Sequence, residues 1–499
     1  MKRIIITLTA IFLALSLCTQ TAYAFQPDEA YTYDGSEAVP STNVFQVNTI
    51  IDGTVMGCAN LKSAQDIFVD SRDWIYILDS GNCRIVVLDE NYHCVRELTE
   101  FNYEGTVLTL AEGAQGLFFQ ESTGYLYIAD TKNNRVLLSD LDGSVKKVYE
   151  KPESALLDAS VPYAPRKIIV DNMGLMYVTS VNVNTGALLI DSENNFLGFY
   201  GTNAIKETWE IALEYMWRSI LTDEQNAQSQ YSFQPTEFNN IFWSEERFVY
   251  AVSPVSDTIA SPVVKLNALG NNVFPGDTTF GDLALFQELG DTAKANEMPL
   301  FSDITVDNEG VFTILDTNKG RLYQYDDSCN LLAVFGGIGA QRGLFTTPIS
   351  IESDSKNQIL VLDADKNTIT VMNQTYYGKK IREATVLHNE GLYEEALEPW
   401  FEVVRMNANY SLAYVGIGKA YMELGEYELA KEYFKVAGDR ENYSEAKEMV
   451  RSEKIRESFA GIAACVIIGM VVILGYDFFK KQILKIRKAV TAKKGEVKR

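Results

Sequence analysis

Short apolar runs alternate with polar turns from residue 64 to residue 374, and the alternation repeats. The clearest unit, residues 64–89, reads AQDIFVDSRDWIYILDSGNCRIVVLD; it recurs from Ala114, Phe301 and Pro348, with weaker copies from Ala164 and Asn239. Asp79, Asp130, Asp316 and Asp363 close the second apolar run of the four clear copies, and Arg84, Arg135 and Arg321 open the third run in three of them. In five of the six copies the turn position and the end of that second run are nine residues apart: Asp70 to Asp79, Asp171 to Ser180, Ser244 to Ser253, Asp307 to Asp316 and Asp354 to Asp363. Runs this short, rich in β-branched and aromatic residues and divided by Asp-Asn-Met-Gly or Asp-Asn-Glu-Gly, predict strands joined by tight turns. Units of roughly 45 to 50 residues with about four strands each are propeller blades. The predicted fold is therefore mainly β, a six-bladed β-propeller over residues 43–375. The sixth unit passes into a helical pattern after Gln374 while still one outer strand short. NVFQVNTIIDG, from Asn43, predicts that missing strand; pairing it there ties the ring shut and covers an open edge.

Elsewhere the period is helical. KETWEIALEYMWRSILTDEQ, residues 206–225, predicts an amphipathic helix within an insert at about 203–230, between the third and fourth blades. Residues 376–458 predict a small helical domain. There Gly418, Tyr421, Gly425, Tyr427, Ala430, Phe434 and Ala437 fall in one frame, and Ala384, Leu387, Gly391, Tyr393, Ala396 and Trp400 occupy the same frame 34 residues earlier. That offset and pattern resemble tetratricopeptide repeats, which implies paired antiparallel helices and either a short peptide groove or a spacer.

Both ends carry membrane-related signals. Lys2 and Arg3, the apolar run 4–17 and Ala22-Tyr23-Ala24 predict a signal peptide over 1–24, followed by a linker over 25–42. Residues 459–479 read FAGIAACVIIGMVVILGYDFF, long enough to cross a bilayer as one helix, with a single acid, Asp477. The tail 480–499 sets nine basic residues against Glu496, which predicts a cytoplasmic tail and an extracellular propeller: a single-pass protein of the cell membrane. The net charge of the whole chain is −23, so the part ahead of the basic tail is more acidic still, which argues against nucleic acid as a partner. Of the six cysteines, Cys58, Cys83, Cys94 and Cys329 lie outside the predicted signal and span. They lack CxxC spacing, and with only His93 and His388 no zinc site is expected; their pairing stays open.

The units resemble NHL repeats: a first strand, an Asp-x-x-Gly turn, a tyrosine-bearing second strand ending in Asp, and Asn-Arg opening the third. AVFGGIGAQRGLFTTP, residues 333–348, resembles the linker between successive NHL blades. The resemblance covers residues 43–374 and implies the fold; propellers host many functions.

Aligning the blades on the ends of their second strands puts Asp66, Gly116, Lys167, Asn240, Asp303 and Ser350 at one innermost position. Asp66, Lys167, Asn240, Asp303 and Ser350 are the candidate ligand-binding residues of the central channel, and they equally suit plain solvation of a water-filled channel. Six-bladed lactonases supply the enzyme analogy, holding a divalent cation with carboxylate and amide oxygens. Asp66, Asn240 and Asp303 are the right types, yet no glutamate stands at a corresponding first-strand position and no Ser-His-Asp set is visible. The sequence thus predicts a noncatalytic, membrane-anchored binding or scaffold protein with no cofactor and no metal. Its expected partner is a protein at the membrane, such as a transporter or envelope complex, or a small extracellular ligand such as a carbohydrate or peptide. A metal-dependent lactonase-like hydrolase is the alternative.

Overall fold

The computed structural model describes residues 31–34, 37–154, 157, 160–201, 237–255, 261–276, 278–282 and 298–496. The expected signal peptide and the whole of the expected 203–230 insert lie outside the described residues. The chain divides into two compact units, one of residues 1–386 with 402–412, the other of residues 387–401 with 413–499.

The first unit is a six-bladed β-propeller. Its N-terminal strands are β1 (Tyr31–Asp34), β2 (Glu37–Pro40) and β3 (Phe45–Ile51), and helix α1 (Gly53–Met56) follows. Blade 1 comprises β4 (Asp66–Val69), β5 (Ile75–Asp79), β6 (Arg84–Leu88) and β7 (Cys94–Leu98); the hairpin β8 (Phe101–Tyr103) and β9 (Thr106–Leu108) leads to the next blade. Blade 2 comprises β10 (Gly116–Gln120), β11 (Tyr125–Asp130), β12 (Arg135–Ser139) and β13 (Val145–Tyr149). Blade 3 comprises β14 (Pro165–Val170), β15 (Met176–Ser180), β16 (Ala187–Ile190) and β17 (Phe196–Tyr200). Blade 4 shows β18 (Asn240–Trp243), β19 (Val249–Val252) and β20 (Val263–Leu266) among the described residues. Blade 5 comprises β21 (Phe301–Val306), β22 (Phe312–Asp316), β23 (Arg321–Tyr325) and β24 (Leu331–Gly336), with β1 and β2 added at its outer edge. Blade 6 comprises β25 (Pro348–Ser353), β26 (Ile359–Asp363) and β27 (Thr368–Gln374), and its fourth strand is β3, paired from Phe45 opposite Gln374 to Ile51 opposite Ile369. The expected closing strand is therefore in place. Each first strand packs on the next around the ring, and β25 packs on β4.

The repeated acids explain why each unit folds as it does. At the first turn Asp70 Oδ1 accepts the amides of Arg72 and Trp74, and Asp171, Asp307 and Asp354 repeat that arrangement at their own turns. An aspartate that takes over two amides of its own turn makes the reversal locally stable. The acids closing the second strand do another job. They reach back to the segment that enters the same blade: Asp79 accepts the Lys62 amide at 2.7 Å, Asp130 that of Ala111 at 2.9 Å, Asp316 that of Leu300 at 3.0 Å and Asp363 that of Thr346 at 2.6 Å. Arg84 and Arg135 pair with Asp79 and Asp130, whereas Arg321 turns to Asp282, 2.6 Å away. Between blades the packing is aromatic. The Tyr76 ring stacks on Phe119 of the next blade at 4.4 Å, and Tyr177 meets Trp243 at 6.0 Å.

After β27 come α2 (Tyr376–Asn389), α3 (Tyr393–Met406), α4 (Ser411–Glu423), α5 (Tyr427–Ala437) and α6 (Arg440–Glu496). In the second unit the small residues permit close approach. A Cβ on Gly416 would lie 2.6 Å from the Trp400 indole, and one on Gly418 would lie 2.5 Å from the Phe434 ring. Helix α6 runs unbroken for 57 residues; Ala446 and Val450 are buried near its start, and within it Ala463–Val490 is apolar and long enough to cross a membrane and unburied throughout.

Replacing Asp79 by Ala leaves the Lys62 amide without its acceptor and the buried Arg84 guanidinium with Glu97 as its remaining carboxylate partner. Loss of one member of a buried ion pair costs about 3–5 kcal/mol, so D79A should lower the unfolding free energy measured by denaturant titration by up to that order.

Candidate binding site in the propeller channel

The site begins with strand register. Each candidate residue sits opposite the residue just before the aligned Asp79, Asp130, Ser180, Ser253, Asp316 or Asp363 of its blade: Asp66 opposite Leu78, Gly116 opposite Ala129, Lys167 opposite Thr179, Asn240 opposite Val252, Asp303 opposite Leu315 and Ser350 opposite Leu362. The six first strands thus bring the sequence-predicted residues to one level. Lys167 forms an ion pair with Asp66, Asn240 Nδ2 donates to the Asp303 carboxylate, and Ser350 Oγ donates to Asp66 Oδ1 at 3.1 Å. The same side chains also cross from blade to blade. Asp66 Oδ2 accepts the Leu117 amide at 2.8 Å, Asp303 Oδ2 accepts the Ile351 amide at 2.7 Å, and Ser350 Oγ accepts the Ile67 amide at 3.3 Å. In each case the donor follows the equivalent residue of the next blade. The layer is therefore a set of stitches across three blade interfaces, beyond a ring of polar groups facing water. Gly116 takes no part because there is no room: a Cβ there would stand 2.3 Å from the Arg166 carbonyl oxygen of blade 3.

A cavity of about 490 Å³ lies against this layer, lined by first strands of all six blades. Two residues past the stitched position, Phe68, Phe118, Ile169 and Phe242 form an apolar wall, with the Phe68 and Phe118 rings edge to face at 5.4 Å. Glu352 takes the same strand position in blade 6 and accepts a hydrogen bond from Thr305 of blade 5 at 3.1 Å. Asp70, Glu121, Glu245, Asp307 and Asp354, from the first turns, also line the cavity. Trp243 stands among them, half-buried. Glu352 and the phenylalanines stand two residues beyond the aligned position of each strand, outside the set that the repeat alignment predicts.

Burial dominates the electrostatics. It pushes the Asp303 carboxyl up to about 6, opposed by the Lys167 charge and reinforced by that of Asp66. Burial, with the Asp303 charge beside it, holds Glu352 well above the usual glutamate range. Burial alone would depress the Lys167 ammonium, but Asp66 and Asp303 outweigh it and keep the group above an ordinary lysine. A neutral Glu352 is a hydrogen-bond donor as well as an acceptor.

The residues fit a divalent cation poorly. Asp66 accepts from the Leu117 amide and Ser350 and pairs with the Lys167 ammonium, Asp303 accepts from the Ile304 and Ile351 amides and Asn240 Nδ2, and Asn240 Oδ1 accepts the Ile241 amide. Metal ligands must present free lone pairs, and here those lone pairs are engaged.

No protein-family model matches the chain, and no curated protein does. Among solved structures, virginiamycin B lyase from Staphylococcus aureus is 10% identical over 66% of this chain and 98% of its own, with a TM-score of 0.38. A gluconolactonase from Xanthomonas campestris is 11% identical over 63% of this chain and 87% of its own, TM-score 0.38. A putative exported protein from Bacteroides fragilis is 11% identical over 66% of this chain and 96% of its own, TM-score 0.40. These distant likenesses carry no argument about activity.

The raised carboxyls set a pH dependence. Asp303 and Glu352 hold protons in the folded chain at pH values where they have lost them in the unfolded one, so their contribution favours folding at low pH and is lost as pH rises through their folded values. Urea denaturation at pH 5 and pH 7.5 checks this: relative to wild type, Glu352→Gln should gain stability at the higher pH, having no charge to desolvate.

Proposed function

We propose that the chain is a noncatalytic binding protein held at the membrane by helix α6, with the propeller outside the cell and its channel cavity as the ligand site. The observation that carries this reading is the construction of the cavity. Its floor charges are matched to one another, its wall is aromatic, and it offers Glu352 as a neutral donor and acceptor. Such a surface suits a small ligand with one apolar face and several hydroxyl or amide groups, such as a sugar unit or a short peptide. The acidic lining disfavours anions. The helical pairs of residues 376–458, read as tetratricopeptide-like, would space the propeller from the bilayer or dock a protein partner there, for instance a transporter.

The lactonase-like alternative requires Asp66, Asn240 and Asp303 to act on a metal-bound ester. Their engagement with Lys167 and backbone amides weighs against it.

Trp243 provides a native reporter of occupancy. In detergent, the full chain should show a saturable fluorescence change with at least one member of a panel of mono- and disaccharides and dipeptides. Phe118→Ala should weaken that binding about tenfold, or about 1.4 kcal/mol. Lactone hydrolysis that vanishes in Asp66→Ala, with no saturable binding, would instead establish the enzyme.

Placement has its own check. In intact cells an epitope tag after Arg499 should resist added protease, while the propeller is digested or released. Digestion of the tag would reverse the orientation.

A further inference from the structure

Cys58 and Cys94 are far apart in sequence and meet in space. Cys58 follows α1, in the connection that leaves the closing strand β3, and Cys94 opens β7, the outer strand of blade 1. Their Sγ atoms, together with a carboxylate oxygen of Glu97, all lie within 4.8 Å of one another. The backbone is held for this meeting. Arg84 pairs with Asp79 and Glu97 and donates to the carbonyls of Ala59 at 2.8 Å and Asn60 at 3.1 Å, which clamps the loop just after Cys58. Asn60 Oδ1 in turn accepts the Gly53 amide at the start of α1.

We propose that Cys58 and Cys94 form a disulfide that fastens the seam of the ring, joining the connection from the closing strand to the outer edge of blade 1. The inference rests on the outward placement proposed above, because disulfides persist in oxidising compartments. The chemistry is a two-electron oxidation: both thiols lose their protons, the S–S bond forms, and a disulfide-class oxidant is reduced to two thiols. A soft-metal site is the competing use of the same atoms. It fits less well, because Glu97 is already paired with Arg84. Burial and the neighbouring Cys94 also push the Cys58 thiol up to about 12, which slows both uses alike because each needs the thiolate.

Trypsin separates the relevant cysteines, since Cys58, Cys83 and Cys94 fall in peptides ending at Lys62, Arg84 and Arg96. The full chain is reduced in detergent, exposed to oxidised glutathione, alkylated and digested. The expected product is one linked species joining the Cys58 peptide to residues 85–96, with Cys83 and Cys329 alkylated. The oxidised protein should melt about 4 °C above the reduced one, a difference abolished in Cys58→Ser and in Cys94→Ser. Alkylation or glutathionylation of Cys58 and Cys94, pairing of either with another cysteine, or stoichiometric zinc released only by a chelator would each overturn the proposal. Chain taken from membranes without reduction tests the placement separately: free thiols there, with full closure in glutathione, would reject the outward placement and leave the pair standing.

Discussion

A propeller is stable only if its last blade is completed, and here one strand near the start of the chain does it. Residues 45–51 lie opposite 369–374, so the strand that begins the propeller is also its final edge. An unfilled edge on β27 would expose a row of unpaired backbone groups, a template for association with other chains. This pairing and the contacts between blade 6 and blade 1, such as the Ile67 amide with Ser350 and the Ser63 amide with Asn367, bring the two ends of the propeller together. The blade-to-blade stitch at Ser350 depends on that closure, because the amide Ser350 accepts from belongs to Ile67, across the seam between blade 6 and blade 1. A loosened seam would part the stitched layer at that interface and with it the floor of the cavity.

The fold was legible in the sequence because each blade pays out the same local chemistry. An aspartate at the first turn captures amides two and four residues on, a second aspartate at the end of the next strand ties down the entering segment, and these demands recur at a fixed spacing. The weak copies were legible for the same reason: Ser244 and Ser180 stand where the acids stand elsewhere, accepting the Phe248 amide at 3.2 Å and the Ala164 amide at 2.8 Å. The level of the candidate site followed from that alignment. What the residues do there did not. Alignment shows that Asp66 and Asp303 share a level, but not that each reaches forward to an amide of the following blade. That depends on the turn between adjacent blades, which is a property of the closed ring. Glu352 was missed for a related reason. It is an ordinary acid in sequence and becomes unusual only when Asp303 and the surrounding strands exclude water from it.

Charge placement separates the floor of the cavity from its surroundings. The chain is strongly acidic, and a channel lined by carboxylates alone would attract cations indiscriminately. One lysine changes that. Lys167 pairs with Asp66 and lowers the cost of ionising Asp303, while burial and the Asp303 charge hold the Glu352 carboxyl well above the usual glutamate range. The result is a floor rich in hydrogen-bonding groups in which Lys167 offsets part of the acidic charge, beneath a wall of phenylalanines and Ile169. Buried polar groups matched in this way discriminate by geometry rather than by net charge, since a ligand that fails to replace the hydration of Glu352 leaves a buried polar group unsatisfied.

Helix α6 poses the complementary problem, apolar surface with nothing on it. Its 57 residues span about 85 Å at 1.5 Å per residue, nearly three times the thickness of a hydrocarbon core. Near its start Ala446 and Val450 are buried in the usual one-sided manner, while from Val466 to Val490 the large apolar side chains are exposed. A soluble helix hides one stripe; a helix apolar on every side needs an apolar surrounding on every side. The change from one-sided to all-round exposure within a single unbroken helix is the pattern that a segment able to cross a bilayer carries. A bilayer satisfies that demand without further contacts from the chain, because the helix already bonds its own backbone amides and carbonyls internally.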